Sequence, residues 1–212
     1  MTQVVHHPIF SRCYARLAPM EEKKGAAVHR GELLADLSGR IVEVGAGSGI
    51  NFAYYPDTVT EVLAVEPEPY LRAMATDTAR LAPVPLTVLD GVADQLPLQD
   101  ASCDAAVISL VLCSVPNQAS ALTELHRVIR PGGELRFYEH VRASTPRFAR
   151  VQEALDVVWP HLGGGCHASR DTLSAIRNAG FEVTQLREFT FRPSIVTAPV
   201  APHILGRTRR QA

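Results

Sequence analysis

Apolar residues in this chain fall into short runs separated by polar, Gly- and Pro-containing breaks. Runs at 41–44, 61–65, 86–89, 105–109, 134–138 and 181–188, with a weaker one at 200–205, have the length and continuity of buried strands. Between them, helical spacing of apolar positions predicts helices over 70–82, 119–129 and 170–179, the last stopped by Gly180. Strands alternating with helices predict a parallel sheet. Ahead of the first strand, 9–37 is helical in pattern but broken at Pro19 and Gly25, so residues 1–38 read as an N-terminal lid. The segment 141–169, most clearly 144–169, leaves the alternation and carries Trp159 and the glycines 163–165. An insertion at the carboxyl edge of such a sheet predicts a substrate pocket. The 212 residues suit one domain.

The first strand runs directly into Gly45, Gly47 and Gly49, a Gly-x-Gly-x-Gly turn. Such a turn lets the backbone leave a strand sharply and come close to a ligand. A dinucleotide fingerprint needs a third glycine at position 50, which is Ile50, so NAD is disfavoured. Two carboxylates accompany the loop: Glu43, two places before the first glycine, and Glu66, at the end of the second strand. S-adenosylmethionine (AdoMet) has no phosphates and presents an ammonium, a carboxylate and a ribose diol. A strand-end carboxylate such as Glu66 can accept from both ribose hydroxyls. Loop amides of Gly45, Ala46, Gly47 and Gly49, with Glu43 directly or through water, can serve the methionine end. A structural role for Glu43, capping a helix or pairing with a base, is the alternative.

Composition changes the picture only by exclusion. With 46% hydrophobic residues, 20% charged and a net charge of −1, the chain can bury a full core and lacks a basic field for nucleic acid. Arg207, Arg209 and Arg210 read as a solvated terminus. No apolar run reaches membrane-spanning length, and residues 1–8 lack a signal-peptide core, so a cytoplasmic protein is expected. Cys13, Cys103, Cys113 and Cys166 lie far apart without C-x-x-C spacing, which predicts reduced thiols and no metal.

Several blocks together resemble the class I AdoMet-dependent methyltransferases from about residue 28 onward. Glu43-Val-Gly-Ala-Gly-Ser-Gly49 looks like the family's first motif, and Val65-Glu66-Pro67 like its ribose-binding strand end. Gly91-Val92-Ala93-Asp94-Gln95-Leu96-Pro97-Leu98 resembles the adenine-flanking motif, 109–116 the end of the fourth strand, and Arg130-Pro131-Gly132-Gly133 the turn before the fifth. The resemblance implies a Rossmann-like, α/β, doubly wound sheet of seven strands, mostly parallel with the last antiparallel, and helices on both faces. Val92 departs from the aspartate that many relatives use for the adenine amino group. Adenine recognition is then expected from backbone at Val92 and Ala93, with Asp94, and from apolar packing by Pro67 and Leu110.

A narrower likeness joins Leu110-Val-Leu-Cys-Ser-Val115, Tyr138-Glu-His-Val141, Leu155-Asp-Val-Val-Trp159 and Gly165-Cys-His-Ala-Ser-Arg-Asp171 to the thiol S-methyltransferase-like branch. The membrane-associated animal members of that branch methylate small alkyl thiols and carry an N-terminal hydrophobic anchor that this sequence lacks. The resemblance implies a small, apolar acceptor, with sulfur favoured; O-, N- or C-methylation of a small aromatic, quinone or lipid amine, and a non-catalytic AdoMet-binding protein, stay open.

Methyl transfer is an in-line displacement at a carbon already activated by a sulfonium, so the protein orients and dehydrates. A thiol is partly ionised at neutral pH and needs only a modest base. His140, expected just past the fifth strand with Glu139 beside it, is the candidate base, with a purely structural role as its alternative. Cys113 and Ser114 at the fourth strand's exit, and Trp159, His167 and Arg170 on the insertion, are acceptor-site candidates; Asp156 and Cys166 are further pocket candidates there. Tyr14 and Phe10 on the N-terminal helix are placed to close over AdoMet.

Overall fold

In the computed structural model, residues 7–211 are described; the reading of residues 1–6 as part of a segment without a signal-peptide core lies outside them. Strands β1 (Gly39–Val44), β2 (Val59–Val65), β3 (Leu86–Leu89), β4 (Cys103–Ser109), β5 (Ile129–His140), β6 (Phe181–Thr190) and β7 (Pro202–Arg210) form one sheet in the order β3-β2-β1-β4-β5-β7-β6. The first five pair in parallel, and β7 runs antiparallel between β5 and β6. The expected doubly wound sheet with an antiparallel last strand is therefore present.

Side-chain alternation along the central strands builds two apolar layers. Val42, Val44, Ala106, Ile108, Leu135 and Phe137 meet Leu122 and Leu125 of α4 (Gln118–Val128) and Ile176 of α7 (Thr172–Asn178). Ile41, Val62, Ala64, Val107 and Tyr138 meet Leu33 and Leu34 of α2 (Ala27–Leu34) and Ala75 of α3 (Pro69–Ala79). Each fully buried Leu or Ile contributes on the order of 1.5–3 kcal/mol. Caps fix where the helices start: Glu68 accepts from Leu71 N–H, Asn117 from Ala119 and Ser120, and Asp171 from Ser174.

Several boundaries differ from the sequence expectation. Helix α1 (Pro8–Glu21) continues through Pro19, which stands in its last turn; the break comes in a π-helical segment, Glu22–Ala26, where Gly25 has φ +117°. Strand β5 starts at Ile129 and extends through His140, so His140 is the strand's last residue rather than one beyond it. The weak run at 200–205 is the beginning of β7, which reaches Arg210. Arg207, Arg209 and Arg210 are thus strand residues, not a solvated tail; Arg207 and Arg209 pair with both β5 and β6, while Arg210 pairs with Phe181 of β6 and its side chain donates to the Ile129 carbonyl. The insertion holds two helices absent from the sequence reading, α5 (Pro146–Leu155) and α6 (Trp159–Leu162).

Candidate functional site

Between β1 and β4 the strand order reverses, and open α/β sheets bind ligands at the carboxyl ends of the strands at such a point. A cavity opens there, floored by Val44, Gly45, Gly47 and Glu66 and walled by Pro67, Leu71, Gly91, Val92, Ala93 and Asp94. Its other wall comes from the β4 exit (Ser109, Leu110, Val111, Ser114, Val115), and α1 covers it with Phe10 and Tyr14.

The glycine loop is built for close approach. A Cβ at Gly45, whose φ is +70°, would stand 2.5 Å from Val111 Cγ2, and one at Gly47 3.3 Å from the Tyr14 ring. Gly45 and Ala46 donate their N–H groups to the Val65 carbonyl, tying the loop to the end of β2. Gly47 N–H donates to Glu66 Oε2 at 2.7 Å, and Glu68 N–H to Glu66 Oε1 at 2.9 Å. Each carboxylate oxygen can accept a second hydrogen bond, and Glu66 lines the cavity. Burial raises the Glu66 pKa, and those two amides hold the rise back.

Glu43, Ala46 and Gly49 stand behind the cavity surface. Glu43 accepts from Asn51 Nδ2 and Tyr55 Oη, both at 2.7 Å. Asn51 Oδ1 in turn accepts from Arg30, whose Nε pairs with Glu22 at 2.7 Å. Burial pushes the Glu43 pKa up to about 7 against the pull of its two donors. The result is a buried polar chain that links the loop to the N-terminal helices. Arg30, Asn51 and Tyr55 were not anticipated from sequence, because a lone arginine in a helical run carries no sign of where its side chain will reach.

The β4 exit is held by Glu139, not opened to His140 by it. Alternation along β5 sends the two side chains to opposite faces. Glu139, fully buried, accepts from the N–H groups of Val111, Leu112 and Cys113 at 2.8, 3.0 and 3.3 Å. These bonds shape a turn in which Leu110 takes a φ of +61°, a region that costs an L-residue on the order of 1–2 kcal/mol.

His140 is buried beside the cavity wall without lining it. Its Nε2 is 3.8 Å from the sulfurs of both Cys113 and Cys166, and its Nδ1 is 3.6 Å from Cys166 Sγ. Cys113 Sγ lies 3.3 Å from the hydroxyl of Ser114, which does line the cavity. Burial pushes the Cys113 thiol up. The expectation that the cysteines lie apart fails for this pair: 53 residues of sequence separation close in space because the insertion folds back, with His167 N–H donating to the Cys113 carbonyl at 2.8 Å.

The remaining insertion residues are engaged elsewhere. Arg170 donates to the carbonyls of Leu112 and Val115 at 2.6 and 2.7 Å, bracing the β4 exit. Asp156 accepts from Ala168, Ser169 N–H and Ser169 Oγ, and His167 lies 3.8 Å from it. Trp159 packs against Cys113, Cys166, Ala168 and Val200. Gly164 of the insertion does reach the cavity, and a Cβ there would press into the Phe10 ring.

This sheet order, with a glycine turn after β1 and a carboxylate ending β2 at the switch point, is the arrangement that the resemblance to class I AdoMet-dependent methyltransferases implies. The comparisons agree: a family described as a methyltransferase domain matches residues 42–137. Thiol S-methyltransferase TMT1B of Homo sapiens is 34% identical over 195 residues, covering 89% of this chain and 78% of the relative. The Mus musculus protein of the same name is 36% identical over 89% of this chain and 78% of its own length. A ubiquinone/menaquinone biosynthesis C-methyltransferase of Syntrophotalea carbinolica is 30% identical over 63% of this chain and 57% of its own length. The chain belongs to the AdoMet-dependent methyltransferase family that includes these thiol S-methyltransferases. Among solved structures, an AdoMet-dependent methyltransferase from Mesorhizobium loti superposes with a TM-score of 0.64 at 22% identity, over 88% of this chain and 99% of the other. The [4+2]-cyclase SpnF superposes at 0.69 and 19% identity over the whole of both chains. Among the described residues no helix is long and apolar enough to cross a membrane.

The residues present fit AdoMet. A cradle that a Cβ would fill, at Gly45 and Gly47, adjoins a buried carboxylate whose oxygens can each accept a second hydrogen bond, and no phosphate-binding arginine or lysine lines the cavity among the described residues.

Proposed function

We propose that this enzyme methylates a small, apolar thiol. The observation that carries the reading is the apolar character of the cavity beside the glycine loop, where Phe10, Leu110, Val111, Val115 and Pro116 surround the space next to Ser114. Identity of 34% and 36% with thiol S-methyltransferases over most of their length supports sulfur as the acceptor atom.

In this reading Glu66 accepts from the ribose hydroxyls, and the turn at Gly45 and Gly47 receives the methionine end, with Ala46, Gly49 and Glu43 supporting it from behind. Pro67, Val92, Ala93 and Leu110 pack on the adenine, while Tyr14 closes the site above Gly47. AdoMet supplies a methyl carbon activated by the adjacent sulfonium. The chain excludes water and aligns the acceptor, which disperses charge as a thiolate meets a cation. Because a thiol loses its proton near pH 8.5, a weak acceptor is enough. His140 receives that proton through Ser114 and Cys113, across the 3.3 and 3.8 Å gaps. Trp159, His167 and Arg170 act by shaping the wall on which Cys113 and Ser114 sit.

The partial match to a quinone-pathway C-methyltransferase supports a second reading, in which a small ring carbon is the acceptor. An AdoMet turnover assay over small thiols, phenols, amines and quinols separates the two. Turnover concentrated on alkyl and aryl thiols is expected; turnover on quinols with none on thiols would overturn the sulfur assignment.

A further inference from the structure

Three soft ligand atoms converge beside the cavity. The Cys113 and Cys166 sulfurs and an imidazole nitrogen of His140 all lie within 4.8 Å of one another, and all three residues are buried. We infer that Cys113, His140 and Cys166 form a three-ligand site for a thiophilic divalent cation of the zinc class.

The spacing suits that cation. With metal–sulfur bonds near 2.3 Å and metal–nitrogen bonds near 2.0–2.1 Å, tetrahedral coordination needs sulfur-to-nitrogen separations of about 3.6 Å. The distances from His140 Nε2 to the two sulfurs are each 3.8 Å, close to that separation, and a turn of the imidazole, whose two nitrogens stand 3.6 and 3.8 Å from Cys166 Sγ, would aim one nitrogen between the sulfurs. Charge also balances: two thiolates cancel a dication, and each thiol gives up its proton to solvent on binding, so the buried site ends neutral.

The surroundings provide what a thiolate site needs. Ala168, Val200 and Trp159 form an apolar shell around the two cysteines. The Trp159 indole N–H is buried and has no hydrogen-bond partner among the described residues. Trp159 Nε1 and Cys166 both flank Gly163, where a built Cβ would be 3.3 Å from Trp159 Nε1 and 3.4 Å from Cys166 Cβ. An unpaired buried donor next to a cysteine is costly against a thiol and useful against a metal-bound thiolate. Three protein ligands leave a fourth position open, as catalytic and exchangeable sites do. A cation on Nε2 would also occupy the lone pair that receives the acceptor's proton, so loading would slow turnover; that consequence alone rests on the proposed relay.

Cobalt(II) replaces zinc and reports thiolate ligation by its charge-transfer absorption. Reduced, chelator-treated enzyme should bind one cobalt per chain with such a band, and zinc should displace it. The Cys113→Ser/Cys166→Ser double variant should lose the band; calorimetry with AdoMet checks that it is folded. Should that variant fail to fold, alkylation of the wild type mapped by mass spectrometry gives a second reading. Bound cation should protect Cys113 and Cys166 while the exposed Cys13 still reacts. Absence of the band in reduced enzyme, equal binding by the folded double variant, or protection of neither buried cysteine would each overturn the site.

Discussion

Replacing Glu139 by alanine tests how the β4 exit is held. The carboxylate is fully buried and accepts three backbone N–H groups, of Val111, Leu112 and Cys113. The 3.3 Å bond is the weakest of them, and water can reach Val111, which is only partly buried. Leaving the other donors unmatched costs roughly 1–3 kcal/mol each. Removing a buried charge returns part of that, because burial raises the Glu139 pKa and so disfavours its ionised form. A net loss of about 2–4 kcal/mol follows, which for a domain of this size lowers Tm by about 5–15 °C. The damage should also reach the cavity. Leu110, held at φ +61° by the same turn, would relax toward an ordinary conformation and shift the wall it forms. AdoMet affinity is expected to fall about tenfold or more, equivalent to ~1.4 kcal/mol. Glu139→Gln should do less harm, since one carbonyl oxygen can still serve Val111 and Leu112, both of which donate to Oε1. Calorimetric melting and AdoMet titration of both variants measure these effects. An alanine variant that melts within about 2 °C of the parent with unchanged affinity would refute the reasoning.

Glu43 gives a pH signature. Its pKa is raised to about 7, so between the unfolded value near 4.5 and 7 the folded state binds the extra proton, and this group's contribution to stability declines as pH rises through that window. Glu43→Gln removes the decline, so the variant's Tm should gain on the parent's between pH 5 and 8; a constant difference would contradict it. Glu66→Ala should weaken AdoMet binding about 10–100-fold, read by calorimetry with circular dichroism as the folding control, and near-parent affinity would remove Glu66 from the ribose site. Gly45→Ala places a methyl 2.5 Å from Val111 Cγ2 at φ +70°, so a stability loss of about 2–4 kcal/mol by denaturant titration is expected, and a neutral variant would mean the loop is not constrained as described. For His140→Gln, kcat on thiols should fall with AdoMet affinity retained; equal losses in both would point to a structural role.

The part of the cavity around the glycine loop was legible because its physics is local. Strand-to-glycine turns and strand-end carboxylates occupy fixed places in a short sequence window, so Gly45, Gly47, Glu66 and Pro67 could be placed before any fold was known. The part formed by the β4 exit and the insertion depends on contacts across the chain. Helix α5 escaped notice because the face it buries consists of small Ala149 and polar Gln152 rather than a stripe of large apolar residues, Gln152 bonding Ala143 N–H and the carbonyls of Val141 and Pro199. Arg170 and Asp156 looked available for a substrate because periodicity says nothing about side chains that turn back onto backbone. The meeting of Cys113, His140 and Cys166 could not be read from spacing, since it requires β4, β5 and the insertion to be assembled first.

Strand β7 bears on how this chain is made. Because β7 pairs with β5 over 203–209 and with β6 over 202–210, β6 joins the sheet only through it, and β5 has no neighbour on that flank until it arrives. During ribosomal synthesis the parallel half of the sheet can emerge and pair in order, from β1 to β5, while β6 waits for residues still in the exit tunnel. A nascent chain stopped at residue 201 would present the β5 edge unpaired and β6 adrift, the arrangement most prone to pairing with another copy.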